Sequence, residues 1–281
     1  MRYLASGVMS RAVKASPCLL ALALVLMTDH AAFAEGEAKS ATEADVAAKH
    51  PLADAIKFAR ESRDALEKVE DYSATFHKKE RVGDKMFAHR MMIKNRKEPF
   101  SVYLRFIGEH DGREVIYVDG ANDGNLLAHE TGLKGIVGTV ALVPSSPEAM
   151  SECIHPITSI GMWRLLDKVI AQWEEETAYG EVEVKFYPKA KLGNADSKLG
   201  ATECRAIEST HPQPRKQFRY HRTRLYLDKK TTLPVRVEQF GFPREPGEEA
   251  PLVGEYQYTD IRVNQDLKDI DFDTRNPRYN Y

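Results

Sequence analysis

The sequence has little net charge and lacks the common catalytic signatures. Its formal net charge is −2 over 281 residues, whereas a general nucleic-acid binder has a strongly basic balance. The HExxH, Cys-x-x-Cys, GxSxG, P-loop and GxGxxG patterns do not occur. These absences predict a protein that binds no nucleic acid, has no recognisable zinc motif and needs no cofactor.

One long apolar run does occur, inside an N-terminal segment that is organised like a secretory signal peptide. A basic part, the apolar run and a small-x-small pattern follow one another: Arg2, Arg11 and Lys14, then residues 18–27, then Ala32-Phe33-Ala34. The run is well short of the roughly 20 residues that span a bilayer as a helix, and no later run comes close. Cys18 opens the run instead of closing it, which argues against a lipoprotein signal. We predict cleavage after Ala34, a periplasmic or secreted location, and no transmembrane span in the mature chain.

Cleavage leaves two cysteines, Cys153 and Cys204. An oxidising compartment permits one disulfide between two thiols. Sequence spacing does not give the distance between the two sulfur atoms, so two separate thiols are the alternative. Both predictions stay open at this point.

Shifts in composition mark the domain limits of a chain that is long enough to bury one complete core. Residues 35–50 are rich in Ala, Glu and Lys with almost no large apolar side chain, which is typical of a disordered tether. Residues 51–275 carry periodic patterns and are predicted to form one domain. Residues 276–281 are predicted to be a C-terminal tail.

Two segments of this domain have a helical period, and most of the rest has the period of two that is typical of strands. The first helix is predicted to begin at Pro51, and the second follows Pro156 with a wide apolar stripe. Residues 131–150 are apolar, punctuated by Gly and without a regular period. Strands are predicted at 71–77, 86–94, 100–106, 114–118, 125–130, 181–188, 201–210, 217–228, 233–242 and 252–263.

The connections between these strands decide the fold class. Short connections require antiparallel pairing, because a parallel pair needs a long crossover. The two helices lie apart from the strands, so we expect them to pack on one face of the sheet. About ten strands is a size at which an open sheet curls toward a barrel. The predicted class is α+β: a single, strongly curved antiparallel sheet, or unclosed barrel, covered by an N-terminal helix and a mid-chain lid helix.

The order of elements resembles the periplasmic carriers of outer-membrane lipoproteins and their receptors, the LolA/LolB-like proteins. Short motifs carry this resemblance: Tyr72-Ser73-Ala74-Thr75-Phe76, Pro99-Phe100, Asp119-Gly120 and the run from Asp228 to Glu238. It implies a half-barrel whose apolar hollow, capped by helices, holds acyl chains. The carriers have a lid-holding arginine directly after this Phe, whereas Ser101 follows Phe100 here. The run from Glu98 to Gly138 resembles more specifically an exported bacterial domain of unknown function, DUF family 1571, which implies no activity.

The loop between the predicted strands 114–118 and 125–130 partly fits the calcium-loop template. Asp119, Asp123, Gly124 and Glu130 fall at its first, fifth, sixth and twelfth positions. Ala121 stands at the third position and has no side-chain oxygen. A hairpin turn needs the same Asp and Gly residues for backbone reasons, so a turn is the better interpretation.

Two further groups of polar residues have a functional and a plain interpretation. His110, Asp111 and His129 could converge across this hairpin, although loop histidines are more often solvated, and we predict no metal site. The stretch from His211 to Arg224 is rich in basic and aromatic residues. It is either an anion-binding face or a strand whose polar phase is basic, as sheet edges often are.

The apolar hollow is the best candidate for a ligand site. Its predicted lining combines one face of the third strand, the central segment and the second helix: Phe100, Val102, Leu104, Phe106, Ile136, Val137, Leu142, Met162, Trp163, Leu166 and Trp173. Alternation along a strand does not tell which phase faces inward. Glycines in the central segment suit a mobile lid over a ligand, whereas core packing explains the same apolar residues equally well.

These patterns predict an exported, non-catalytic binding protein that holds an apolar ligand, such as a lipid or acyl chain, in the hollow of a half-barrel. The alternative is a structural or interaction module of the cell envelope with a filled core, whose partners are envelope proteins or lipids. A hydrolase of unknown type is the third hypothesis, since paired catalytic carboxylates leave no spacing signature in one sequence.

Overall fold

The computed structural model describes residues 50–132, 138–193, 202–245 and 247–281. The predicted signal peptide and residues 35–49 of the predicted tether lie outside these described residues. Within them, none of the helices combines the length and the apolar character that crossing a membrane requires.

Helices and strands occupy most of the described chain. The α-helices are α1 (Leu52–Leu66) and α2 (Met162–Glu176). The strands are β1 (Asp71–Val82), β2 (Lys85–Arg96), β3 (Ser101–Ile107), β4 (Glu114–Val118), β5 (Leu126–His129), β6 (Thr139–Leu142), β7 (Glu183–Leu192), β8 (Thr202–Thr210), β9 (Arg222–Asp228), β10 (Pro234–Phe240) and β11 (Leu252–Val263). Short 3-10 helices occur at Asn122–Gly124, Ile157–Ser159 and Asp269–Phe272.

The strands form one antiparallel sheet in the order β6-β5-β4-β3-β2-β1-β11-β10-β9-β8-β7. Neighbours in the sheet are neighbours in sequence, except that β1 pairs with β11 and so joins the two halves of the meander. In the part of the chain that the structure describes, β6 and β7 end the order and the sheet does not close. The predicted α+β class with a single unclosed antiparallel sheet is confirmed.

Three element boundaries differ from the sequence predictions for local reasons. The strand predicted at 217–228 begins only at Arg222, because the chain still turns at Phe218, whose N–H donates to the carbonyl of Arg215 at 3.1 Å. The short edge strand β6 lies inside the segment without a regular period. Helix α2 begins at Met162, well after Pro156, because Gly161 has a φ of 106° that interrupts helical backbone.

Both helices pack on one face of the sheet, where a single hydrophobic cluster joins them to the strands. Their fully buried apolar residues recur at helical spacing: Leu52, Ala55, Ala59 and Leu66 on α1, and Met162, Leu166, Val169 and Trp173 on α2. Each buried Leu, Val or Met side chain contributes about 1.5–3 kcal/mol relative to an exposed one. The burial of these two apolar stripes therefore fixes the helices on the sheet.

Buried hydrogen bonds hold α2 in addition to its apolar contacts. The N–H of Met162 donates to the hydroxyl oxygen of Tyr72 at 3.0 Å, and the indole N–H of Trp163 donates to the last carbonyl of α1 at 3.2 Å. Toward the other end of the helix, the indole N–H of Trp173 donates to Ser209 Oγ at 2.9 Å. Any shift of α2 along the sheet would leave these buried groups without partners.

The C-terminal segment covers the opposite face of β3 and β4. The ring of Tyr279 stacks on Tyr103 with centroids 4.1 Å apart, and Phe272 belongs to the same cluster. The buried carboxylate of Glu114 accepts from the Tyr103 hydroxyl at 2.9 Å and from the N–H of Asn280 at 2.8 Å. The stretch predicted to be a tail, 276–281, thus contributes groups that pack against the sheet.

The start of α2 lies so close to the sheet that a side chain at Gly161 should destabilise the fold. A Cβ atom built there would lie 2.1 Å from Oδ1 of the fully buried Asn95, and the φ of 106° disfavours side chains in any case. We expect Gly161→Ala to lower the free energy of unfolding by at least about 2 kcal/mol, measured by urea denaturation.

The matched control is Gly180→Ala, where the added Cβ would meet no atom within 4 Å. We expect that variant to stay within about 0.5 kcal/mol of the parent chain. Equal stabilities of the two variants would contradict the close packing at Gly161.

Candidate functional site

A cavity of about 240 Å³ lies on the helix-covered side of the sheet, away from most of α2. Five strands and the segment that precedes α2 supply its apolar wall: Met91, Leu104, Phe106, Val115, Leu126, Ala128, Leu142, Ala149, Ile157 and Ile160. Alternate residues of a strand point to the same face, so β3 contributes Leu104 and Phe106 and β5 contributes Leu126 and Ala128. Strand alternation therefore builds the wall.

The predicted lining from β3 and β6 is divided between the cavity and the core. Leu104, Phe106 and Leu142 line the cavity. Phe100 and Val102 share the inward face of β3 and are buried in the main core, where Phe100 lies under the Arg164 guanidinium. The phase that contains Phe100, Val102, Leu104 and Phe106 thus faces inward, a choice that the alternation alone left open.

The predicted lining from α2 and the central segment is placed differently. Met162, Trp163, Leu166 and Trp173 are buried in the core between α2, α1 and the sheet, and they are not among the residues that line the cavity. These four residues of α2 therefore pack in the core and do not line the cavity. Ile136 and Val137 lie outside the described residues.

The rest of the cavity lining, here called the polar wall, consists of Lys78, His89, Arg113, Glu130, Glu148, Ser151, Glu152, Cys153 and His155. Next to Lys78 of this wall lies Glu80, which is 1% exposed. This carboxylate pairs with Lys78 Nζ at 3.0 Å and accepts from the Tyr256 hydroxyl at 2.8 Å and from the N–H of Ile154 at 2.9 Å. Glu80 thereby connects β1 to β11 and to residues 143–161, the covering segment between β6 and α2.

Arg113 organises the outer part of the polar wall. Its guanidinium pairs with Glu130 and lies 3.1 Å from Glu152 Oε2 and 3.1 Å from Nδ1 of His110. Burial alone would raise the pKa of Glu152, but the Arg113 guanidinium outweighs burial and holds this pKa below its usual range. Glu152 is therefore an anion at neutral pH.

His89 projects into this group from β2. Its side chain is 2% exposed, and Nε2 lies 3.4 Å from Oε2 of Glu152. Neither ring nitrogen has a hydrogen-bond partner. Burial first, and the charge of Lys78 second, lower the pKa of His89, so the imidazole is neutral.

His155 lies on the same wall and is also neutral. Burial, and then the nearby Lys168 ammonium, lower the pKa of His155 to about 4. Its Nδ1 lies 3.2 Å from Lys168 Nζ, in the position of an acceptor for that ammonium group.

Both cysteines are free thiols, so the structure corresponds to the alternative without a disulfide. Cys153 lines the cavity and donates from Sγ to the carbonyl of Ala149 at 3.3 Å. Cys204 is fully buried on the other face of the sheet, in a cluster with Tyr226 and Val235. Burial raises the pKa of both thiols, to about 11 for Cys204.

The calcium-loop residues form a hairpin connection between β4 and β5. Asp123 has a φ of 55° inside the short 3-10 helix, and Asp119 accepts from the Tyr117 hydroxyl at 3.3 Å. Glu130 is the ion-pair partner of Arg113. The turn interpretation therefore describes this loop.

His110, Asp111 and His129, which could have converged across the hairpin, contact different partners. His110 faces Glu152, with Nε2 and Oε1 3.3 Å apart. The ring of His129 instead packs against Tyr281 of the C-terminal segment, with centroids 5.6 Å apart. Asp111 accepts from the backbone N–H of Gly108.

Acidic partners surround much of the basic stretch from His211 to Arg224. Arg215 makes two contacts of 2.9 Å with Glu181, and Nε2 of His211 lies 3.1 Å from a carboxylate oxygen of the last residue of α2. Arg224 pairs with Glu208. Of the arginines and lysines of this stretch, only Arg222 and Arg224 lie on a strand, so the interpretation as one basic strand was wrong for the remainder.

Comparison with known proteins identifies the family. The family model DUF1571, described as a protein of unknown function, matches residues 69–281. The chain belongs to the DUF1571 family. This match confirms the family that the run from Glu98 to Gly138 indicated. No curated protein is significantly similar to this DUF1571 chain.

Several solved structures are distantly similar to the DUF1571 chain. Lipoprotein LppX of Mycobacterium tuberculosis is 12% identical, with 76% of this chain and 96% of that chain covered and a TM-score of 0.42. A DUF1329 family protein from Desulfovibrio piger is 12% identical, covers 80% and 98%, and has a TM-score of 0.39. A LolA superfamily protein from Nitrosomonas europaea is 12% identical, covers 75% and 97%, and has a TM-score of 0.29. These similarities are too distant to transfer a ligand or a partner to this chain.

Sequence reasoning missed the polar wall almost entirely. Lys78, His89, Arg113 and Glu152 come from two strands, a loop that leads into β4 and the covering segment. A weak signal existed in β2, where His89 falls on the same phase as the buried Met91. A purely apolar hollow would have no polar side chains on the strand face that points inward. Polar residues on that face could therefore have indicated a polar wall.

The environment of His155 predicts a loss of stability in acid. Its pKa is about 4 in the folded chain, against an ordinary value of 6.5. The folded chain holds His155 in its neutral form, and the stability that depends on this form is complete above about pH 6.5. This stability is lost as the pH falls toward 4. We expect the free energy of unfolding to decrease less over this window in His155→Asn than in the parent chain, measured by urea denaturation at several pH values.

A second variant tests the cause of this pKa. Lys168→Met removes the neighbouring positive charge, so we expect its free energy of unfolding to decrease less than that of the parent chain as the pH falls toward 4. Identical pH dependence in the parent chain and in His155→Asn would refute the assignment.

Proposed function

We propose that this protein is an exported, non-catalytic binding protein that holds a small amphiphilic molecule, such as a lipid fragment or acyl chain, in the cavity of its half-barrel. The observation that carries this proposal is the cavity itself, which has one apolar and one charged wall. Apolar pockets with a few polar groups are the usual form of small-molecule sites.

The volume of the cavity limits what it can hold. It measures about 240 Å³, which is larger than the roughly 150 Å³ that accommodates benzene and slightly below the roughly 300 Å³ at which drug-sized sites begin. A short acyl chain or the end of a longer chain fits this size. A complete lipid would require the covering segment around Ala149 and Ile157 to move.

The polar wall determines which end of an amphiphile lies there. Arg113 and Lys78 can contact a carboxylate or phosphate head, although each is already paired with a carboxylate. Leu104, Phe106 and Leu126 form the apolar wall that a hydrocarbon tail would contact. The two walls therefore support an amphiphile better than a purely apolar ligand.

The chemistry of Cys153 supports binding without catalysis. A nucleophilic cysteine has a lowered pKa beside positive charge or a helix N-terminus. Burial instead raises the pKa of the Cys153 thiol, which donates to a backbone carbonyl. The N-terminal signal sequence supports a location outside the cytoplasm, in the periplasm or beyond.

A direct test is to purify the protein from its native host, extract it with organic solvent and analyse the extract by mass spectrometry. We expect a stoichiometric amphiphile in the extract and saturable uptake of a fluorescent fatty acid by the extracted protein. The variant Ala128→Phe places a ring in the cavity, and we expect it to weaken uptake at least about tenfold, which corresponds to 1.4 kcal/mol.

The matched control is Ala88→Phe, at an exposed position on the outer phase of β2. We expect this variant to take up the fatty acid as the parent chain does. Leu104→Ala enlarges the cavity and serves as a second variant, with an expected preference for bulkier tails. No bound amphiphile together with no uptake by the parent chain would sink the proposal.

A structural or interaction module of the cell envelope is the second candidate. Buried apolar side chains pack under α1 and α2, and the outer face carries a ladder of ion pairs across several strands. Arg236 Nη2 lies 2.6 Å from Glu238 and 2.9 Å from Glu255, which also pairs with Lys79 at 3.2 Å. Absence of a ligand in the extraction experiment would favour this candidate.

A further inference from the structure

We infer that His89, His110 and Glu152 form a binding site for a divalent first-row transition metal ion, of the Zn²⁺ class, at the polar wall of the cavity. The potential ligand atoms of these three residues all lie within 4.8 Å of one another. Two imidazoles and one carboxylate are a known donor set for such ions and leave a position open for water or another oxygen ligand.

The two histidines face different oxygens of the same carboxylate, at separations longer than those of good hydrogen bonds. Nε2 of His89 lies 3.4 Å from Oε2 of Glu152, and Nε2 of His110 lies 3.3 Å from Oε1. Zn–N and Zn–O bonds of about 2.0–2.2 Å at tetrahedral angles place neighbouring ligand atoms about 3.3–3.5 Å apart. A good hydrogen bond between the same groups would be shorter, at about 2.7–3.0 Å.

His89 gives independent support for a ligand at this position. Its side chain is 2% exposed and points toward Glu152, yet neither ring nitrogen has a hydrogen-bond partner. A buried polar group without a partner costs about 1–3 kcal/mol, so it calls for an explanation. A metal ion on Nε2 would satisfy this nitrogen.

Arg113 balances the charge around Glu152. Lys78 pairs with Glu80 at 3.0 Å, and Arg113 pairs with Glu130. Arg113 Nη1 also lies 3.1 Å from Oε2 of Glu152, so Glu152 shares this cation with Glu130. A metal ion on Glu152 would take the place of that contact, and Arg113 would keep Glu130 as its partner.

Arg113 also shows what must change when the ion binds. Its Nη2 lies 3.1 Å from Nδ1 of His110. A metal on Nε2 requires the proton on Nδ1, and the guanidinium must then leave Nδ1 while it keeps Glu130 as its partner. Binding therefore moves Arg113.

The test titrates Zn²⁺ alone into the purified, untagged chain after removal of bound metal with a chelator and of bound lipid with solvent. We expect one ion per chain by calorimetry. His110→Asn and Glu152→Gln, at half-buried positions that tolerate substitution better than His89, should each lose at least about 100-fold in affinity. Co²⁺ should give the visible absorption of a low-coordinate site in the parent chain and lose it in both variants.

The matched control is His155→Asn, which removes a histidine from the same wall but outside the trio. We expect its Zn²⁺ affinity to stay within about threefold of that of the parent chain. Absence of stoichiometric Zn²⁺ binding by the parent chain would overturn the inference, as would equal affinity in all four proteins. Because the titration contains no lipid, and fatty-acid uptake can be measured without metal, failure of one proposal is distinguishable from failure of the other.

Discussion

The contact between the start of helix α2 and the sheet decides where the hollow of this half-barrel is filled. The first backbone N–H groups of a helix have no partner within the helix. Here the Met162 N–H donates to the hydroxyl of Tyr72, on the central strand β1. Gly161 allows this approach, because any side chain there would collide with Asn95. The helix is consequently a fixed cover whose Trp and Leu residues complete the core.

The remainder of the hollow is covered by irregular backbone, and that is where the cavity lies. The segment between β6 and α2 contains Ala149, Ile157 and Ile160 but no long helix that could fill the space with a continuous apolar stripe. Glu80 holds this segment through the N–H of Ile154. The buried carboxylate of Glu80 thus helps to hold the covering segment in place, whereas apolar packing holds α2.

The polar wall connects the two proposals for this site. Charged groups in a hollow are costly unless they are paired, and Lys78, Glu80 and Arg113 are all paired. His89 is a buried neutral imidazole whose two ring nitrogens have no hydrogen-bond partner. A metal ion held by His89 and its neighbours would satisfy this group, and its open position would be available to an oxygen of an amphiphile in the cavity.

Local patterns were sufficient for the antiparallel half-barrel, because side-chain period and connection length are properties of short segments. The alternation from Phe100 to Phe106 likewise predicted one common face, which proved to be the inward one. The lining from α2 could not be assigned, because the same apolar stripe serves a core and a lid. Only the tertiary structure brought His89, His110 and Glu152 together. The hairpin of β2 and β3 brings the two histidines near each other, but Glu152 reaches them only through the path of the covering segment, which no stretch of neighbouring residues encodes.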